Sequence, residues 1–294
     1  MIEVRNITKS LPDGRKVLDG ISFSVRKGEF VGILGASGAG KTLTLRSLNG
    51  LLKPDSGAVL VEDEWRQMRD ICKVGKKELR RLRQKIGLVF QGYHLVRRLT
   101  ALENVLIGRL GQMNTLRSLL YGFTDEEAAQ AFKALEKVKI GHLSGKRVSS
   151  MSGGEMQRVA IARAIFQAPT LLLADEPISN LDPSNAKIIM KLIRPLSEEM
   201  PVIGVFHQPE MTAKYCTRVI AIKGGRIIYD GDPVLSADQL IEIYGDELKI
   251  DNHFHEPARI QPETIQEVDI ANIGDSIIDR RGSLGLQGQP GGIE

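Results

Sequence analysis

The sequence predicts an α/β fold: a mostly parallel core sheet, an N-terminal antiparallel β subdomain and an inserted helical subdomain. Three observations predict it. The apolar run Phe30-Val31-Gly32-Ile33-Leu34 leads into a glycine-rich turn and then into leucines at helical spacing. Two more apolar runs, residues 86–90 and 170–174, end in a polar or acidic residue, as buried parallel strands do at a ligand-binding edge. Between them, residues of about 95–168 carry helical rather than strand periodicity.

The stretch that organises the rest is Gly35-Ala36-Ser37-Gly38-Ala39-Gly40-Lys41-Thr42, which fits G-x-x-x-x-G-K-[ST]. Its glycines let successive N–H groups converge on the phosphates of a nucleotide, and the helix behind adds the positive end of its dipole. Lys41 supplies a fixed charge, and Thr42 places a hydroxyl on the Mg²⁺ that bridges the terminal phosphates. Thr44 follows as a further nucleotide-binding candidate. The alternative is a glycine-rich turn with no ligand, but the strand before and the helix after are the context a phosphate loop requires.

In chain order, residues 2–7 and 17–25 alternate apolar and polar around Pro12-Asp13-Gly14, which reads as an antiparallel hairpin. The strand at 30–34 enters the phosphate loop. Leu43, Leu45, Leu48, Leu51 and Leu52 then space a helix, and Pro54-Asp55-Ser56-Gly57 turns the chain into a strand at 58–61. Residues 73–85 hold the densest positive charge, with Leu79, Leu82 and Ile86 spaced as an apolar stripe. A solvated amphipathic face is favoured there over a nucleic-acid contact, since no aromatics interleave. The strand at 86–90 ends at Gln91. In the helical stretch Thr124 suits the N-cap of a helix over 125–139. Residues 219–222 and 227–229 close a hairpin about Gly224-Gly225, and 235–244 form a last helix. Residues 1–245 make one domain and 246–294 a tail, expected to be partly disordered over 282–294, with 266–279 a candidate short docking helix.

Chemistry gathers at the strand ends. After the run ending at Ala174 come Asp175 and Glu176: the first suits holding Mg²⁺ through water, the second orienting and deprotonating an attacking water. His207 directly follows the apolar residues 202–206, and its place on the same edge favours a γ-phosphate contact over a structural hydrogen bond. Ser152-Gly153-Gly154-Glu155 opens another helix and is a second anion site. One nucleotide has no need of both glycine-rich sites. A dimer in which the Ser152 motif of each chain closes on the nucleotide held by its partner resolves the excess.

With these motifs in order, residues 1–245 resemble the ATP-binding subunit of an ABC transporter, and the resemblance implies a P-loop NTPase (RecA-like) core. It implies Walker A at 35–42, the Q-loop at Gln91 as a catalytic and metal-contacting amide, and the signature at 151–155. Walker B then falls at 171–175, the catalytic glutamate at Glu176, the D-loop at Ser179-Asn180-Leu181-Asp182 and the switch histidine at His207. It also implies ATP and Mg²⁺, head-to-tail dimers, and integral membrane permease subunits docked beside the Q-loop. A periplasmic or lipid-anchored solute-binding protein is an indirect partner, and the place of work is the cytoplasmic face of the bacterial inner membrane. The segments 95–111 and 116–124 are similar to bacterial phosphonate-importer ATPases, which implies import of a phosphonate-type anion. Three departures stand out: Met151 in place of leucine, Glu155 in place of glutamine, and no adenine-stacking ring near Leu11. A carboxylate at Glu155 weakens ATP binding in trans unless it points away.

Composition fits this reading. The 294 residues, 42% hydrophobic, suffice for a large domain with a subdomain, and a net charge of +4 does not demand an anionic partner. No apolar run is long enough to span a bilayer and the N-terminus lacks a signal-peptide pattern, so a cytosolic protein is expected. Cys72 and Cys216 have no metal or redox spacing and read as thiols rather than a disulfide. Three alternatives stay open: an importer ATPase for phosphite or a phosphate ester, a soluble ABC ATPase in a phosphonate-degrading or nucleic-acid assembly, and a small-molecule kinase. The kinase would leave Gln91 and the Ser152 motif without a role.

Overall fold

The computed structural model describes residues 1–63, 66–113 and 122–245. The expectations for the tail at 246–294, and most of the segment 116–124, lie outside the described residues.

Two sheets form. In the first, β1 (Ile2–Ser10) lies between β2 (Lys16–Val25) and β4 (Ser56–Glu62), with β5 (Met68–Asp70) at the edge, all antiparallel. Ile2 and Val4 face inward at strand spacing, but the next buried residue is Ile7 rather than Asn6. A register shift after Val4, with Asn6 at a φ of 47°, absorbs the extra residue and returns Ile7 to the core.

The second sheet has the order β10-β9-β3-β8-β7-β6. Its strands are β3 (Phe30–Leu34), β6 (Ile86–Val89), β7 (Leu171–Asp175), β8 (Val202–Val205), β9 (Arg218–Lys223) and β10 (Arg226–Gly231). All but the edge strand β10 are parallel. β3, β7 and β8 are buried along their whole length, which is why they read as unbroken apolar runs. Alternate residues divide between two cores. Val31, Ile33, Leu171, Leu173, Ile203 and Val205 pack with Ile2, Val4 and Ile21 of the antiparallel sheet. Phe30, Leu34, Leu172, Ala174, Val202 and Val219 pack on the other face with the helices.

The helices are α1 (Lys41–Leu48), α2 (Lys76–Gln84), α3 (Ala101–Leu106), α4 (Asp125–Lys137), α5 (Gly153–Phe166), α6 (Pro183–Ile193), α7 (Pro209–Tyr215) and α8 (Ala237–Tyr244). α3, α4 and α5 form the helical subdomain between β6 and β7. Thr100, Thr124, Ser152 and Ser236 start α3, α4, α5 and α8 with capping boxes, each closed by Glu or Gln three residues on.

Some boundaries differ from the sequence expectation for physical reasons. α1 ends at Leu48 because Gly50 turns left-handed at φ 70°, so Leu51 and Leu52 lie beyond the helix and Leu51 is exposed. Ile86 belongs not to the stripe of α2 but to β6, where it pairs with Leu171. α4 stops at Lys137, and Lys139 sits at φ 60°. β5, α6 and α7 had no clear signal in the sequence. Among the described residues no helix is long and apolar enough to cross a membrane.

Candidate active site

The parallel ladder sets the site. Val89, Ala174, Gly204 and Gly32 lie in one row across β6, β7, β8 and β3. Gln91 and Glu176 each emerge two residues beyond that row, and His207 three residues beyond it. The chain thus delivers side chains separated by up to 116 positions to one edge by register alone.

Glu176 is the hub of that edge. Gln91 donates from Nε2 to Glu176 Oε2 at 2.8 Å, and His207 Nε2 lies 2.8 Å from Glu176 Oε1, so each carboxylate oxygen has its own partner. Its backbone is left-handed, with φ 49°, a region that costs a non-glycine residue about 1–2 kcal/mol. One residue earlier, Asp175 is buried and accepts from Thr42 Oγ1 at 3.1 Å. Burial pushes the Asp175 carboxyl above its ordinary value, while the Thr42 hydroxyl works the other way. A hydroxyl and a carboxylate oxygen side by side form a hard-oxygen donor set of the kind Mg²⁺ takes.

The phosphate loop curls because its glycines have no alternative. Gly35 and Gly40 stand at φ 148° and 107°; a Cβ on Gly35 would run into the carbonyl of Ile222, and one on Gly40 would lie 2.8 Å from the carbonyl oxygen of Val17. Lys41 is buried and donates to the carbonyls of Gly35 at 2.7 Å and Ala36 at 2.9 Å, folding its ammonium over the loop. α1 begins at Lys41 with no side-chain cap and no acidic residue in its first turn, so its leading N–H groups are left for an anion. Thr44 is a correction to the expected binding set: it is fully buried, and its hydroxyl donates to the carbonyl of Gly40 at 3.0 Å, so its side chain shapes the loop instead of lining the site.

The second glycine-rich motif sits elsewhere on the domain. Ser152 accepts from the amide of Glu155 at 3.3 Å, and the Glu155 carboxylate accepts from the Ser152 amide at 2.8 Å and from Lys146 Nζ at 3.0 Å. The carboxylate is therefore folded back on its own helix and held below its ordinary pKa, chiefly by the Ser152 amide. Met151 is buried in the helical core, where it takes the place a leucine would fill. A Cβ on Gly153 would stand 2.9 Å from the Tyr93 hydroxyl, and one on Gly154 2.5 Å from Asn185 Oδ1. The Gln91 loop, the Ser152 motif and the turn at Asn180–Asn185 thus meet without room for a methyl group. In that turn Asp182 caps α6, accepting from the amides of Ser184 and Asn185.

Sequence reasoning missed two groups that join these parts. Arg163, near the end of α5, donates to the carbonyls of His94 at 2.7 Å and Tyr93 at 3.1 Å. It holds two successive left-handed residues, at φ 67° and 47°, just past Gln91, and burial lowers its pKa. Lys146, in the turn before α5, is the other. Neither lies in a motif. The available signal was the spacing of Arg163 among the apolar residues of α5, which turns a cation inward.

These elements define a class: a nucleotide-phosphate cassette with a glycine-rich helix start on an inserted helical subdomain. Residues 18–179 match the family model described as ABC transporter, and the chain belongs to that family. It is 41% identical over 244 residues to the phosphonates import ATP-binding protein PhnC 2 of Halalkalibacterium halodurans, covering 82% of this chain and 98% of that protein. The phosphonates import ATP-binding protein PhnC of Treponema denticola is likewise 41% identical, over 82% of this chain and 93% of its own. Among solved structures, the dimeric bacterial ABC transporter cassette MJ0796 superposes with a TM-score of 0.67 at 31% identity, covering 80% of this chain and all of that one. A post-hydrolysis dimer of the same cassette bound to ADP and Pi gives 0.65 at 30% identity, with the same coverage.

Proposed function

We propose that this chain is the ATPase subunit of an importer for a phosphonate-type anion. It binds ATP, works as a head-to-tail dimer and drives integral membrane permease subunits from the cytoplasmic face of a bacterial inner membrane, with a solute-binding protein delivering the anion. The observation that carries the reading is the single strand-end edge on which Glu176 is bonded to both Gln91 and His207, beside Thr42, Asp175 and Lys41. The phosphonate class is supported by the relatives' names and their nearly full-length match, since the ATPase edge itself meets nucleotide and not cargo.

In this mechanism the loop amides and Lys41 neutralise the terminal phosphates of ATP. Thr42, Asp175 and Gln91 would hold Mg²⁺, which would supply further charge neutralisation at the terminal phosphates. Glu176 accepts a proton from the attacking water, whose oxygen bonds the γ-phosphorus as the β–γ bridging oxygen leaves with ADP. Gln91 and His207 hold the two oxygens of that carboxylate in place, and His207 also reaches the γ-phosphate. The Ser152 motif of the partner protomer completes the site from across the dimer.

Glu176→Gln keeps the shape and removes the base: turnover should fall about 10²- to 10⁴-fold while ATP still binds. Undiminished hydrolysis by this variant would end the mechanism. For the cargo, ATP turnover by the complex reconstituted with its permease should rise with phosphonates. Equal or greater stimulation by phosphite or phosphate esters reassigns the solute.

A further inference from the structure

Glu155 poses an electrostatic problem. It is the third residue of α5, at the helix end that meets the partner's phosphate in the head-to-tail dimer, so a carboxylate and a triphosphate would share one cluster of N–H donors. Two groups restrain it. The Ser152 amide and the Lys146 ammonium both reach the same oxygen, Oε2, at 2.8 and 3.0 Å.

Capping does not require the charge. At α8 the same box is made with a neutral amide: the Ser236 amide donates to Gln239 Oε1 at 2.8 Å, and the Gln239 amide donates to Ser236 Oγ at 3.3 Å. The negative charge at Glu155 is thus extra to the fold of the helix start, and Lys146 is positioned to balance it. The lysine projects from a fixed backbone, because its amide donates to the Leu143 carbonyl at 2.9 Å and its own carbonyl accepts from the Ala101 amide at 3.0 Å. With a side chain 35% exposed beside a carboxylate 20% exposed, the pair lies at the surface, where its charge is felt by whatever docks there.

We propose that Lys146 is an electrostatic positioning residue for the partner protomer's nucleotide, holding the Glu155 carboxylate back on its own helix so that the Ser152 hydroxyl and the Gly153 and Gly154 amides face the partner's γ-phosphate without a competing charge. The proposal rests on the head-to-tail reading. Lys146 acts on that nucleotide through Glu155 alone. Its removal leaves an uncompensated negative charge at the interface, whereas removing the charge on Glu155 makes Lys146 dispensable.

The test is ATP-driven dimerisation of the full chain in the Glu176→Gln background, followed by analytical ultracentrifugation. Lys146→Ala should raise the ATP concentration needed for half-dimerisation on the order of tenfold, an effect that shrinks in high salt. Lys146→Arg should behave as the parent does, and Glu155→Gln should dimerise at the same or lower ATP. The double variant Lys146→Ala/Glu155→Gln should match Glu155→Gln. If the pair is only a brace, Glu155→Gln weakens the dimer as Lys146→Ala does and the double variant is not rescued, which overturns the proposal. Equal behaviour of all variants overturns it as well. A parent that binds ATP yet forms no dimer overturns the head-to-tail reading, and this one with it.

Discussion

At the start of α1 the backbone arrives through Gly40, with no side-chain cap and no acid in the first turn, whereas α5 starts with a box closed by Ser152 and Glu155. Both helix starts are glycine-rich and both read as anion sites in the sequence. The first leaves its donors open and brings its own cation, Lys41. The second has spent part of its donor set on its own carboxylate and is balanced by a lysine from a neighbouring turn. The glycines differ in the same sense. Gly40 is required by backbone shape, at a φ closed to most side chains; Gly154 lies in ordinary helix and is required by space, since Asn185 occupies the place of its Cβ. The comparison teaches that two glycine-rich helix starts can require glycine for different reasons, the first through backbone shape and the second through packing that can be adjusted.

The largest effect that tests this contrast is Gly40→Ala. Left-handed strain together with the Val17 carbonyl should cost about 3 kcal/mol, and no single side-chain change should restore ATP binding, because the obstacle is main chain. Recovery of nucleotide affinity through a second-site side-chain substitution would break the distinction. Lys41→Ala comes next: losing a charge-assisted contact should weaken ATP binding by about 1.5–3 kcal/mol, read by equilibrium titration. Gly154→Ala should cost about 1–3 kcal/mol of thermal stability through crowding, and Asn185→Ala should recover most of it. Failure of that rescue would place Gly154 with Gly40.

The smallest effect is a pH dependence. The folded-state pKa of Glu155 is lowered, so its stabilisation is present above the ordinary carboxylate value and lost as the pH falls through the lowered one. Amide exchange at the start of α5, corrected for its intrinsic rate, should therefore quicken selectively as the pH falls below the ordinary carboxylate range. Glu155→Gln should flatten that response, and an unchanged profile in the variant would show that Glu155 is not its source.

How much of this was legible in the sequence follows from which forces act locally. The strands β3, β6, β7 and β8 could be read because burial on both faces, nearly complete in β6, leaves unbroken apolar runs, and each run stops beside a candidate site residue. The phosphate loop could be read because its glycine spacing is dictated by backbone angles. Lys146 and Tyr93 could not: each acts through contacts 9 to 60 positions distant, and nothing in their own neighbourhoods marks them, while Arg163 was marked only by its spacing among the apolar residues of α5. Thr44 misled because proximity to Lys41 in sequence says nothing about which way a helical side chain turns, and here it turns back to the Gly40 carbonyl. β5 and α6 escaped because one is three residues long and the other begins at Asp182-Pro183, a pair equally suited to a turn.

The left-handed backbone at Glu176 carries a further implication. Asparagine tolerates that conformation better than glutamate does, so replacing Glu176 would relieve main-chain strain. Directed evolution of this chain for heat tolerance alone, with no demand for turnover, would be expected to replace Glu176 early. Under the proposed mechanism, any thermostabilised version intended to work needs that codon locked.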